Sequence, residues 1–93
     1  MEMKEKDRMM RMIFRRYRRS QFLIHTLHER DVDASDYLKI EFALSCLAED
    51  QRFLLEKEYL DTNDRHWWMD YYSKSTYYRL KNRAIDEMLM LLK

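Results

Sequence analysis

Neither glycine nor proline occurs anywhere in the chain, and this double absence removes more fold classes than any residue present. Glycine supplies the positive φ angles of hairpin turns, phosphate-cradling loops and nucleophile elbows. Without it a P-loop, a dinucleotide-binding fold or a hydrolase elbow has no place to form. Sheet architectures, which need many tight turns, are disfavoured on the same ground. Helices joined by Asn, Asp and Ser turns remain.

The single cysteine, Cys46, excludes an internal disulfide and fits a reducing compartment. It lies in the run Ala43-Leu44-Ser45-Cys46-Leu47 with no activating histidine or basic group beside it, so it reads as a small buried core residue rather than a nucleophile. No apolar run approaches the length of a membrane span, and no signal-peptide core follows Met1. The expectation is a cytoplasmic protein with no membrane partner, and 93 residues suffice for one domain with a modest core.

Charge is scarce as a net quantity, +1 overall, but it is strongly segregated. Residues 1–30 carry nine basic against four acidic side chains, 31–64 carry three against ten, and 65–93 carry six against three. A basic head and tail thus flank an acidic middle, and such patches govern association even near neutrality.

What is present has the period of helices. Met3, Met10, Ile13, Phe14, Tyr17 and Ile24 form one stripe and predict a basic amphipathic helix over 1–30. Arg8, Arg11, Arg15 and Arg19 run along its flank as a second basic surface, with Lys4, Arg16 and Arg18 adding charge, while Phe22, Leu23 and Leu27 widen its apolar surface. A polar break at 31–35 follows, with Asp33 or Ser35 as the cap of a helix over 36–47 whose inward residues include Leu38, Phe42 and Leu47. A third helix spans 51–60 with Phe53, Leu54, Leu55 and Tyr59, and Asp61-Thr62-Asn63-Asp64 is a turn. A short aromatic helix over 65–72 comes next. There Trp67, Trp68, Tyr71 and Tyr72 are too many rings for one face, so at least one should lie at an interface.

Ser73 caps the last helix, over 74–92, where Tyr77, Leu80, Ala84, Ile85, Met88, Leu91 and Leu92 give the clearest amphipathic pattern in the chain. The fold class is therefore all-α, about five helices. The opposite face of the last helix presents Ser75, Arg79, Asn82, Arg83 and Asp86, with Tyr78 at its edge. Arg can bond guanine O6 and N7 together, and Asn can do the same with adenine N6 and N7. Lys74, Lys81 and Arg83 are placed to hold phosphates.

The order Ala43-Leu44, Leu47, Arg52, Leu54-Leu55, Tyr59, an aromatic helix, then Ser73-Lys74-Ser75-Thr76-Tyr77-Tyr78-Arg79-Leu80-Lys81-Asn82-Arg83-Ala84-Ile85 resembles region 4 of bacterial sigma factors. It is more similar still to the ArpU-like transcriptional regulators of phages and prophages in Gram-positive bacteria. The resemblance covers residues 36–92 and is most specific over 73–85. It implies a C-terminal helix-turn-helix and sequence-specific binding of duplex DNA, with Lys74, Ser75, Tyr78, Arg79, Asn82 and Arg83 as DNA-binding residues. The sequence departs from that pattern in three places. Tyr71-Tyr72 stands at the turn, where a small residue is usual. Trp67-Trp68 replaces another small residue, and Asp70 falls at an apolar position. A shift or tilt of the helix before the turn is the expected result.

A second function class remains open: a sigma-like adaptor that binds RNA polymerase or another regulator without reading DNA. Its support is the basic first helix and its abundant methionine. Self-association as a homodimer, through the first helix or through 67–72, is also expected. No enzyme is expected, because no carboxylate pair sits in a recognisable turn or pocket motif. No cofactor is expected either. His25 and His28, with Glu29 beside them, have metal-compatible spacing but no third ligand, so no metal site is assigned.

Overall fold

The computed structural model describes residues 2–26, 35–61 and 64–93. Within them the chain is helical, with α1 over Met3–Thr26, α2 over Ser35–Cys46, α3 over Glu49–Leu55 and α4 over Lys74–Leu91. A π-helical turn, Glu56–Leu60, extends α3, and a 3-10 turn, Trp67–Asp70, precedes α4. The expected cap Asp33 and the pairing of His25 with His28 lie outside the described residues, as do Thr62 and Asn63. No helix among the described residues is long and apolar enough to cross a membrane.

Helix α1 runs for 24 residues because Lys, Arg, Glu and Met favour helix and nothing breaks it. Its stripe buries Met10, Phe14 and Tyr17 against α2, the π turn and α4. Phe14 stacks on Tyr59 at 5.6 Å and meets Tyr17 edge-on at 6.2 Å. Tyr17 stacks on Tyr37 and donates to Glu41, which fastens α1 to α2.

Leu47, just after α2, is buried as expected, but α2 itself turns inward a different stripe from the expected Leu38 and Phe42. Ile40, Ala43, Leu44 and Leu47 are buried, whereas Leu38 is 61% and Phe42 65% exposed. Cys46, expected in the core, is exposed with them. Leu38, Phe42 and Cys46 share the i, i+4, i+8 line on the outer side, so all three rotate out together.

Helix α3 packs chiefly on α4. Its continuation is closed by the Asp61 N–H donating to the Glu56 carbonyl at 2.9 Å, the i to i+5 bond of a π turn. The segment expected as an aromatic helix over 65–72 is reduced to the single 3-10 turn. The Asp64 side chain accepts from His66 N–H at 2.8 Å, and Trp68 carbonyl oxygen accepts from Tyr71 and Tyr72. Trp67 is buried, Trp68 and Tyr72 are half-buried against the core, and Met69 and Tyr71 stay exposed.

Ser73 caps α4 as expected, its Oγ accepting from Thr76 N–H at 3.3 Å. Ser73→Ala should therefore lower stability by about 1 kcal/mol, read as a shifted midpoint in urea with an unchanged slope. Tyr77, Ala84, Ile85 and Met88 are buried along the inner face of α4.

A cationic cleft beside the last helix

The inner face of α4 also contains Lys81, only 5% exposed. This corrects its expected role as a phosphate contact: the ammonium points into the molecule. It lies 3.2 Å from the Asp7 carboxylate of α1 and 3.5 Å from that of Glu58 in the π turn. The rings of Tyr59 and Tyr77 face it at 5.9 and 5.6 Å, a favourable place for a cation removed from water.

Each carboxylate is further satisfied. Asp7 accepts from Tyr59 at 2.5 Å. Glu58 accepts from the Trp67 indole at 2.9 Å and from the Tyr77 hydroxyl at 2.6 Å. Burial would raise the Asp7 carboxyl, but the hydrogen bond from Tyr59 and the charge of Lys81 outweigh it and hold the group below its ordinary value. The Tyr59 and Tyr77 hydroxyls are pushed up, first by burial and then by their carboxylate partners. They remain donors throughout the neutral range. Four elements thus meet at one ion cluster, in which no buried side-chain polar atom is left without a partner.

Above this cluster opens a cleft of about 750 Å³. It is lined by Arg11, Arg15 and Arg18 of α1, by Arg65, His66 and Trp68, by Tyr78 of α4 and by residues of the ion cluster. The cleft holds five cations, Lys81 included, against the carboxylates of Asp7, Glu58 and Asp64. The balance is positive with histidine neutral.

The expected site residues divide into groups. Lys74, Ser75, Arg79 and Arg83 are exposed on α4, and Arg79 and Arg83 carry no ion pair among the described residues. Tyr78, 45% exposed, joins that face to the cleft. Asn82 is also exposed, but its side-chain oxygen accepts from Lys6 at 2.7 Å, and Lys6 also pairs with Asp86 at 2.7 Å. The start of α1 therefore rests along one edge of that face. Of the second basic surface, Arg11 and Arg15 line the cleft, while Arg8 and Arg19 are exposed outside its lining.

No family model, curated protein or solved structure matches the chain. The chemistry of these surfaces must speak for function. Arg18, Arg65 and His66 complete the cleft although the sequence did not single them out as site residues. The spacing 11, 15, 18 was a usable signal, since i, i+4 and i+7 fall on one helical face. Arg65 had none, because its approach to α1 depends on the turn between α3 and α4. Among the described residues no group of three or more His, Cys, Asp or Glu is placed to hold a metal.

Proposed function

We propose that the chain is a DNA-binding transcription regulator of the sigma region 4-like, ArpU-like kind. In this proposal α4 is the recognition helix of a helix-turn-helix whose first helix has shrunk to the Trp67–Asp70 turn. The observation that carries it is the two-sided construction of α4. One face is locked into the core through Tyr77, Lys81, Ala84, Ile85 and Met88, while Ser75, Arg79 and Arg83 stand exposed on the other. A helix that enters a major groove needs that rigidity behind its reading side chains. Arginine is also the side chain best suited to a guanine edge.

Arg79 and Arg83 lead this reading, because Asn82 must first leave Lys6 before it can reach an adenine. Lys74 and Ser75, at the start of α4, are assigned to the phosphate backbone and to the first base step, with Tyr78 beside them.

The test begins with selection from random duplexes, followed by affinity on the preferred and a scrambled site. Arg79→Ala should cost about 1–3 kcal/mol on the preferred site and relax the sequence preference. Equal losses on both duplexes would show that α4 does not read sequence. A folded chain that retains no duplex at all would favour the adaptor function instead.

A further inference from the structure

The cleft between α1 and the segment 64–68 is unused by a recognition helix as such, yet it opens beside one. Arg15, Arg18 and Arg65 line it and carry no ion pair among the described residues, whereas Arg11 is tethered to Asp7 at 3.2 Å. Three guanidinium groups without a carboxylate partner among the described residues, gathered on one concave surface, are an anion site suited to a ligand that carries several charges. The acidic floor does not cancel them. Asp7 and Glu58 are already matched by Lys81 and by hydroxyl and indole donors, which leaves Asp64 against three guanidinium groups.

We propose that one sugar-phosphate strand of duplex DNA lies in this cleft, held by Arg15, Arg18 and Arg65, while α4 enters the adjoining groove. The inference rests on the reading of α4 given above and adds the path of the backbone. From Arg15 to Arg18 the helix rises about 4.5 Å, so these two guanidinium groups span about one nucleotide step of a strand advancing about 3.4 Å per nucleotide. Tyr78 lines the cleft and belongs to α4, so a ligand in the cleft is in contact with the recognition helix itself. An acidic peptide would use the same charges, but it has no need of the exposed Arg79 and Arg83 next door; a duplex uses both surfaces at once.

The experiment measures affinity against salt concentration for the whole chain on the selected and the scrambled duplex. Each phosphate contact contributes about 0.9 to the slope of log K against log salt. The double variant Arg15→Ala/Arg18→Ala should therefore flatten the slope by about two units on both duplexes and leave the sequence preference intact. The double variant Arg16→Ala/Lys39→Ala, which removes the same charge from exposed positions outside the cleft lining, should change the slope by less than half a unit. All four positions are exposed, and unchanged melting temperatures verify that folding is intact. An unaltered slope in Arg15→Ala/Arg18→Ala, with Arg79→Ala still relaxing the preference, overturns the backbone path and leaves the reading of α4 standing. Equal flattening by both double variants also overturns the path, since bulk charge would then suffice. Polyglutamate bound as tightly as the scrambled duplex reassigns the cleft to an acidic protein. A chain that binds no duplex removes both proposals together.

Discussion

Lys81→Met is expected to destabilise the protein by about 3–5 kcal/mol, the usual cost of leaving buried charge without its partner. The substitution preserves most of the side-chain volume, so the loss is electrostatic rather than a cavity. Against a total stability of roughly 5–14 kcal/mol for a chain of this size, it brings the fold near its limit. Chemical denaturation at neutral pH measures it directly.

The pH dependence distinguishes this cause from simple loss of packing. In the wild type Asp7 is depressed by Tyr59 and Lys81 against the opposing effect of burial. Its folded pKa lies below the unfolded value. Its contribution is thus fully present above an unfolded pKa of about 3.9 and is lost as pH falls through the depressed value. In Lys81→Met Asp7 keeps only the exposed Arg11 as a cation and Glu58 loses Lys81, so acid relieves the variant and harms the wild type. The gap between them should narrow steadily below about pH 5. A gap that stays constant down to pH 3 would show that Lys81 acts through packing alone.

Phe14→Ala should be comparably damaging, about 3–5 kcal/mol. Phe14 is 1% exposed and wedged between Tyr17 and Tyr59, so removing its ring opens a cavity at the junction of α1 with the π turn. Phe22 on the same helix is 57% exposed, and Phe22→Ala should stay within about 0.5 kcal/mol of the wild type. The pair, measured together in urea, asks whether α1 is an integral part of the core or a loosely attached arm. Similar small losses for both would support the arm.

The two ends of the chain were the most legible in sequence. In α1 and α4 one stripe gathers most of the large apolar residues, so periodicity selects the buried face although Met9, Met12, Phe22 and Met90 lie outside it and are exposed, and Ser73 announces its cap. Helix α2 offered two stripes of nearly equal merit. Leu38, Phe42 and Cys46 follow one line, and Ile40, Ala43, Leu44 and Leu47 another. Period cannot choose between them; packing can. Ala43 is fully buried, and a methyl side chain lets neighbouring helices approach where a phenyl ring would hold them apart.

The ion cluster was hidden for a different reason. Asp7, Glu58 and Lys81 are far apart in sequence, and each taken alone looks like a solvated surface charge. One clue was present. Lys81 sits four residues after Tyr77 and four before Ile85, in the middle of the apolar stripe of α4, where a lone cation is either misplaced or paired. The cationic cleft inherits this difficulty, because its lining is drawn from α1, the π turn, the segment 64–68 and α4, which are distant in sequence.

The π turn at Glu56–Leu60 also sets the register of everything that follows it. A π turn holds one residue more than the α-helical turn it replaces. It is the backbone's way of absorbing an insertion without interrupting the helix. Deleting one residue there would restore an ordinary helix and swing Glu58 about a quarter-turn away from Trp67, Tyr77 and Lys81. Loss of the extra residue would therefore break the contacts through which Glu58 holds Trp67, Tyr77 and Lys81.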